Sequence, residues 1–149
     1  MTTGVWALLA AVAATVALGL VWRAREGRVR RRKGSEAEEP VFDQMPAELR
    51  QRLADEPEDD ARVTLLQFST TFCAPCRHAR ILLADFAERT EGVRHVEVDL
   101  THHPEWSTPL RVHRTPTTLA LDATGRELFR VGGVPRRDEL AETVRPHLN

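Results

Sequence analysis

The fold can be read outward from residues 61–92, which run ARVTLLQFSTTFCAPCRHARILLADFAERTEG. The apolar run VTLLQF predicts a short buried strand, and the polar residues after it end that strand. Apolar residues then recur at helical spacing as far as Phe86, and Gly92 closes the predicted helix. Cys73 and Cys76 therefore fall between a strand and the helix that follows it.

Further elements follow on the C-terminal side. The alternating stretch 93–100 predicts a second strand, and residues 102–114, with two prolines, predict a loose helix and a loop. Two strands joined by an Ala-Thr-Gly turn predict an antiparallel hairpin over residues 117–131, and residues 136–148 predict a terminal helix. The order β-α-β-α-β-β-α indicates an α/β fold with a mixed four-stranded sheet, a parallel first pair and helices on both faces.

Charge divides the 149-residue chain into blocks. Residues 1–22 carry no charge, and residues 23–33 carry a net charge of +6, followed by −8 over 34–60 and +1 over 61–149. We interpret the blocks as a transmembrane anchor (1–22), a basic collar with an acidic linker (23–60), and a domain (61–149). The overall charge of −1 argues against a dedicated nucleic-acid binder, and two cysteines are too few for a disulfide-dense scaffold.

The first 22 residues predict a membrane anchor. They are apolar from Gly4 to Trp22 except for Thr15, and about 22 uncharged residues give roughly 33 Å of helix, enough to cross a bilayer. A cleaved signal peptide is the alternative, but only the α-amino group supplies positive charge before the apolar run. The basic collar from Arg23 to Lys33 favours a single-pass protein of the cell membrane whose bulk is cytoplasmic.

The acidic block contains one clear linker and one ambiguous stretch. Residues 35–40, SEAEEP, are polar and end in proline, which predicts a linker. Residues 46–56 have two interpretations. They form either a short helix opened by Pro46, with Leu49 and Leu53 on one face, or part of a solvated tether that repels itself.

The pair Cys73-Ala-Pro-Cys76 indicates dithiol chemistry. A thiol at a helix N-terminus meets unpaired N–H groups and the positive end of the helix dipole, which favour the thiolate. Cys76 lies one turn further on the same face, close enough to attack a mixed disulfide at Cys73. Two alternatives remain: half of a zinc site completed by His102 and His103, although no second CxxC exists, or a structural disulfide, which stabilises little across so short a loop.

A second feature is Thr115-Pro116-Thr117, directly before the third strand. Proline is acceptable at a strand start because it need not donate a hydrogen bond there. The Thr115-Pro116 bond is either cis, which would turn the Thr115 backbone toward the cysteines, or an ordinary trans bond.

With these motifs in this order, residues 61–149 resemble the thioredoxin family. The matching motifs are Phe72-Cys73-Ala74-Pro75-Cys76, Thr115-Pro116-Thr117 and Gly132-Gly133. The resemblance implies that Cys73 attacks a substrate disulfide and that Cys76 resolves the mixed disulfide. The residues that it places against the substrate are Phe72, Thr115, Pro116 and Gly132. It also implies protein disulfides as substrates and a dithiol protein as electron donor, with no metal or organic cofactor.

The chain departs from the family pattern at two positions. Phe72 stands where the family usually has tryptophan, and Gln67 stands where the family has a buried aspartate that helps to deprotonate the resolving thiol. A glutamine side chain cannot accept a proton at neutral pH, so we expect slower resolution. His78 either stabilises the thiolate or is an exposed surface residue. Four arginines either border the substrate face or are scattered over the surface: Arg111, Arg114, Arg136 and Arg137.

We therefore expect a membrane-tethered, thioredoxin-like enzyme that reduces or exchanges protein disulfides. One alternative is an extracytoplasmic thiol–disulfide protein that serves cytochrome maturation or disulfide formation, which would need the opposite topology. Another is a tethered binding module with little turnover, an interpretation that rests on Gln67 and Phe72.

Overall fold

The residues described by the computed structural model are 2–25, 27–31, 41–55 and 60–149. The N-terminal apolar run forms helix α1, Thr2–Arg25, and its residues 4–24 are exposed. The segment Gly4–Ala24 is long and apolar enough to cross a membrane. A signal sequence near the N-terminus passes the same test of length and composition, so this test alone does not distinguish it from a membrane anchor.

A five-stranded mixed sheet forms the centre of the molecule. Its strands are β1 (Val29–Arg31), β2 (Val63–Ser69), β3 (Val93–Asp99), β4 (Thr117–Asp122) and β5 (Glu127–Gly132). They lie in the order β1-β5-β4-β2-β3, with β2 and β3 parallel and the other neighbours antiparallel. The α/β fold and the four strands that the sequence predicts are confirmed, and β1 extends the sheet by one short edge strand.

Helices cover both faces of this sheet. The α-helices after α1 are α2 (Val41–Gln44), α3 (Ala47–Asp55), α4 (Ala74–Glu88) and α5 (Arg137–Val144). The loose helix predicted over residues 102–114 is limited to one 3₁₀ turn, Pro104–Ser107. The predicted terminal helix ends as an α-helix at Val144 and continues as a 3₁₀ turn, Arg145–His147.

Two apolar clusters hold the layers together. On one face α2, α3 and the segment around Trp106 pack against β2, β3 and β4, with Leu66 in the cluster. On the other face α4 and α5 pack against the sheet, with Leu65 and Phe129 in the cluster. Successive strand residues point to opposite faces, so a strand with both faces covered is apolar along its length. Every residue of β2 is buried for this reason.

Residues 41–55 belong to the folded unit. Leu49 is 0 % exposed, and Met45 and Leu53 join it in the cluster against the sheet. The helix interpretation of residues 46–56 therefore holds for 47–55, and the tether interpretation is wrong there. The folded unit begins before residue 61, the boundary that the charge blocks predict. The linker predicted at 35–40 lies outside the described residues, as does most of the acidic run at 56–60.

Part of the basic collar is also built into the fold. Val29 pairs with Val131 across the β1–β5 ladder, and its N–H donates to Glu139 Oε1 at 3.0 Å. Before it, the Gly27 N–H donates to the Gly132 carbonyl oxygen at 3.0 Å. The collar is thus not only a flank of the apolar helix, because residues 27–31 also form an edge of the sheet.

Candidate active site

The two cysteines lie where β2 passes into α4. Cys73 is the N-cap residue of α4, and its Sγ accepts a hydrogen bond from the Cys76 N–H at 3.2 Å. Pro75 lies in the first turn, where its missing N–H leaves no hydrogen bond unmade. The sulfur of Cys73 therefore meets a helix N-terminus, which stabilises negative charge on it.

The two sulfurs are unequal in access. They are joined by a disulfide, with the Cα atoms 5.2 Å apart. Cys76 is only 3 % exposed, whereas Cys73 is partly exposed, and the neighbouring Phe72 is 96 % exposed. A partner sulfur can thus approach Cys73 from solvent, beside an apolar ring, while Cys76 stays covered.

Three loops meet beside the disulfide. The Thr115-Pro116 bond is cis, which is the first of the two alternatives that the sequence allows. The hydroxyl of Thr115 lies 3.4 Å from that of Thr70, whose carbonyl oxygen accepts a hydrogen bond from the Cys73 N–H at 3.2 Å. From the third loop, the Gly133 N–H donates to the Pro116 carbonyl oxygen at 2.8 Å.

All six site residues that the resemblance indicates are brought to this end of the sheet. Gly132 pairs with Thr117 across the β4–β5 ladder, next to Pro116. The loops after β2, before β4 and after β5 therefore form one face. The residues on it are Phe72, Cys73, Cys76, Thr115, Pro116 and Gly132.

Arg114 also reaches this face. Its Nη2 donates to the Gly132 carbonyl oxygen at 3.2 Å, and a Cβ atom built on Gly132 would lie 2.7 Å from that nitrogen. A side chain at position 132 would therefore displace the guanidinium of Arg114. Arg137, by contrast, pairs with Asp85 of α4. Arg114 thus places a positive charge beside the cis-proline loop, as the substrate-face interpretation predicts for this one of the four arginines, while Arg137 is paired near the C-terminal end of α4 instead.

Gln67 connects the resolving cysteine to a histidine that sequence reasoning missed. It is 0 % exposed, and its Nε2 donates to the Cys76 carbonyl oxygen at 3.0 Å. Its Oε1 lies 3.0 Å from Nε2 of His95. The contact with Cys76 fixes the orientation of the amide, so the amide oxygen Oε1 faces His95. An amide oxygen can only accept a hydrogen bond, so the His95 ring donates through Nε2–H. The first turn of α4 is therefore tied through Gln67 to β3.

The surroundings of His95 favour its neutral form. Burial lowers the pKa of His95 below its ordinary value of 6.5, the carboxylate of Glu97 opposes this shift, and the guanidinium of Arg80 adds to it. Arg80 and Glu97 are themselves paired, with Nη1 and Oε2 3.3 Å apart. At neutral pH the ring is uncharged and acts as a fixed donor to Gln67.

This pKa shift makes stability depend on pH in a defined direction. Since an unfolded histidine titrates near 6.5 and folded His95 titrates lower, the unfolded state binds more protons between these two values. The free energy of unfolding should therefore fall as pH drops below about 6.5. His95→Gln keeps an N–H donor but cannot titrate, so it should lose less stability on acidification. Denaturant titrations followed by circular dichroism at pH near 5 and 7.5 measure this.

Exposed His147 offers the matched control. His147→Gln should retain the parental loss of stability on acidification. An identical loss in His95→Gln and the parent would contradict the assignment of a partly buried imidazole whose pKa is lowered.

The other histidines considered from the sequence are elsewhere on the surface. His78 is exposed on α4, as the surface alternative predicts, and His102 is exposed as well. His103 stacks on Trp106 with ring centroids 4.0 Å apart. Among the residues that the structure describes, no three or more His, Cys, Asp or Glu side chains are grouped so as to hold a metal ion.

A mixed sheet whose central strand leads through a CxxC pair into a helix, facing a cis-proline loop, defines a class of thiol–disulfide oxidoreductases. The thioredoxin family model matches residues 43–146, more than half of the chain. The chain belongs to the thioredoxin family. It is a thiol–disulfide oxidoreductase, and its substrates are protein disulfides.

Relatives and solved structures agree with this assignment. Thioredoxin H-type of Oryza sativa subsp. indica is 29 % identical over 87 residues, which cover 58 % of this chain and 70 % of the relative. Thioredoxin H-type 1 of Nicotiana tabacum is 31 % identical over 90 residues, which cover 58 % and 67 %. The structure of thioredoxin NaTrxh from Nicotiana alata superposes with a TM-score of 0.56 at 22 % identity, covering 76 % of this chain and 98 % of that one. Fasciola hepatica thioredoxin gives a TM-score of 0.55 at 24 % identity, covering 68 % and 92 %. Both structures show the fold.

Proposed function

We propose that this protein is a membrane-anchored enzyme that reduces or exchanges disulfides of protein clients at the membrane surface, with its folded domain on the cytoplasmic side. The observation that carries the proposal is the difference between the two sulfurs: Cys73 is accessible at a helix N-terminus, and Cys76 is buried one turn behind it. A reaction in two steps needs this arrangement, because the client must meet one sulfur first.

In the first step the Cys73 thiolate attacks a client disulfide. A bond forms between Cys73 and one client sulfur, and the other client sulfur leaves and takes up a proton. In the second step Cys76 loses its proton and attacks Cys73, which closes the Cys73–Cys76 disulfide and releases the remaining client thiol. The client gains two electrons and two protons, and a dithiol protein returns the enzyme to its reduced form.

The remaining site residues would hold the client in place. The hydroxyl of Thr115 lies 3.4 Å from that of Thr70, in the loop that leads to Cys73, and the backbone of Thr115 would pair with an extended client segment there. Pro116 and Gly132 form the floor next to it, joined by the Gly133 to Pro116 hydrogen bond. Phe72 offers an apolar contact at the rim.

The membrane part of the proposal rests on α1 and its flank. The segment Gly4–Ala24 of the helix is apolar except near its C-terminal end and is exposed, a surface suited to lipid, and Trp6 and Trp22 lie near its two ends. Arg23 and Arg28 are exposed on the C-terminal side, within the basic collar. Enrichment of Lys and Arg on cytoplasmic flanks supports a domain that faces the cytoplasm.

One experiment tests anchoring and sidedness together. The full chain is expressed with a C-terminal reporter that is active on one side of the membrane only, and the membranes are extracted at alkaline pH. We expect the intact chain to stay in the membrane fraction, with a reporter that signals the cytoplasm. A shortened, extractable chain would overturn the anchor, and a reporter active on the outer side would favour the extracytoplasmic alternative.

The resolving step should be slow in this protein and should be accelerated by a carboxylate at position 67. Gln67→Asp places a group that can accept the Cys76 proton next to the first turn of α4, where the glutamine now donates to the Cys76 carbonyl oxygen and supplies no proton acceptor of this kind. We expect resolution of a mixed disulfide to become about tenfold faster or more. Single-turnover release of a client thiol measures the rate. Gln67→Asn is the matched control, since the asparagine side chain has the same length as that of aspartate but has no carboxylate to accept a proton. Equal rates for the two variants would contradict the prediction.

A further inference from the structure

The connection between α1 and the sheet is very short. Helix α1 ends at Arg25, and the Gly27 N–H already donates to the Gly132 carbonyl oxygen at 3.0 Å. Gly27 is buried and has a φ of +73°, and a Cβ atom on it would lie 2.3 Å from the carbonyl oxygen of Val134. Only glycine fits this contact. The chain therefore passes from the apolar helix to the folded unit across one intervening residue.

The residues after this contact secure it. We call Gly27–Arg31 the docking segment. It continues as β1, where Val29 pairs with Val131 and donates to Glu139 Oε1 at 3.0 Å. The docking segment is thus held by β5 on one side and by a side chain of α5 on the other. The charge blocks suggest a tether of 38 residues over 23–60. In this fold residues 27–31 of that stretch are already paired with the sheet.

The docking segment meets the sheet at the redox face. Gly132, which accepts the Gly27 hydrogen bond, is one of the six site residues, and a Cβ atom on Gly133 would lie 3.4 Å from the Gly27 nitrogen. The strand order β5-β4-β2 leaves two strand spacings, about 10 Å, between Gly132 and the strand that leads to Cys73. The two residue steps from Arg25 to Gly27 span at most about 7 Å. When the 3.0 Å hydrogen bond between Gly27 and Gly132 and the turn from Ser69 to Cys73 are added to these lengths, the sulfurs lie within about 25 Å of the end of α1.

We propose that the clients are integral membrane proteins whose disulfides lie within about 25 Å of the bilayer surface, because the docking segment holds the redox face there. This inference rests on the proposed function, and specifically on α1 being an anchor. An undocked tether of 38 residues would have a root-mean-square reach of about 34 Å and would expose the site to clients far from the bilayer.

The charges of the described residues agree with a face close to lipid. Arg23 and Arg28, on either side of the α1 end, are exposed, and Arg114 lies across Gly132 at the edge of the redox face. Basic groups near a membrane surface are attracted to anionic headgroups. They stabilise an orientation in which the loops around Cys73 remain close to the bilayer.

The test compares two insertions of equal length in the full chain. A flexible Gly-Ser insert of about 20 residues after Glu26 separates α1 from the docking segment and adds about 25 Å of reach. The matched control carries the same insert after Gly34, beyond the docking segment, so the short connection from α1 to Gly27 and the hydrogen bond from Gly27 to Gly132 are kept. Each variant is reconstituted in liposomes of mixed zwitterionic and anionic phospholipid.

Three probes carry the same cystine loop. The near probe has the loop directly at the end of a transmembrane peptide, and the far probe has it beyond a rigid helical spacer of about 30 residues, or about 45 Å. The third probe is the free, soluble loop peptide. The parent protein and the Gly34 insertion should reduce the near probe at least tenfold faster than the far probe. The Glu26 insertion should lower this near-to-far ratio about tenfold, because the volume that the site explores grows by about that factor.

The outcomes separate the two proposals. The inference about clients is overturned if the near-to-far ratio of reduction rates is unchanged by the Glu26 insertion, or if it is near one in the parent. In that case reduction of the soluble probe still shows that the protein is an active enzyme. Loss of the protein from the liposomes, or no reduction of the soluble probe by the parent, overturns the proposed function and the inference with it. Equal rates on the soluble probe for all three proteins show that the inserted chains are folded.

Discussion

Cys73→Ser should abolish disulfide reduction, down to the uncatalysed background. A serine hydroxyl is not ionised at neutral pH, and it cannot form the covalent intermediate with a client sulfur. Cys76 cannot replace it, since it is 3 % exposed and lies behind the N-cap position. Reduction of an insulin-type disulfide by the purified protein, with a small dithiol as electron donor, measures the effect.

His78→Gln is the control for that experiment. His78 is exposed on the same helix, and the variant should keep the parental rate. A large loss in His78→Gln would restore the interpretation in which this histidine stabilises the thiolate. Survival of about a tenth of the parental rate in Cys73→Ser would exclude Cys73 as the nucleophile. Absence of turnover in the parent itself would favour the tethered binding module.

Leu49→Ala should lower the free energy of unfolding by about 2–5 kcal/mol. Leu49 is 0 % exposed and packs with Met45 and Leu53 against the sheet, so its truncation leaves a cavity in one of the two apolar clusters. Denaturant titration followed by circular dichroism gives the change. The result tests whether residues 41–55 are part of the folded unit.

Gln51→Ala supplies the comparison on the same helix. Gln51 is exposed, and its replacement should change the free energy of unfolding by no more than about 0.5 kcal/mol. If Leu49→Ala were equally mild, α3 would not pack on the sheet, and the linker interpretation of these residues would return.

The elements around the cysteines follow from local pattern alone. β2 is buried on both faces and contains a run of apolar residues, and α4 has its apolar residues at helical spacing, so each carries its own signal. The hairpin over 117–132 is marked by its turn, and the redox pair by its position between strand and helix. These signals are local in sequence, and the structure agrees with them closely.

The edge strand β1 could not be predicted because its pairing is entirely tertiary. Val29–Arg31 is three residues long and mostly charged, so it has no apolar alternation. Its place next to β5 depends on the close approach of Gly27 to the carbonyl group of Val134 and on the hydrogen bond that Glu139 accepts from the Val29 N–H. These partners are more than 100 residues away in the chain, and charge patterning points instead to a flank.

The contact between Gln67 and His95 was missed for a related reason. The two side chains belong to neighbouring parallel strands, and each looks unremarkable in its own strand pattern. The resemblance to the family identifies the missing carboxylate at position 67, but only the register of β2 and β3 brings a hydrogen-bond donor to that amide. Arg114 is similar, since its contact with Gly132 joins the loop before β4 to the end of β5.

The most direct test of the central claim is to trap the mixed disulfide. Cys76→Ser removes the resolving sulfur, so a client captured by Cys73 can no longer be released from within the protein. Incubation of this variant with an oxidised client, followed by mass spectrometry under non-reducing conditions, should show a one-to-one covalent adduct at Cys73. A small dithiol should cleave this adduct by reducing the mixed disulfide. Absence of any adduct, with the Cys73 thiol free and the protein folded, would contradict the account.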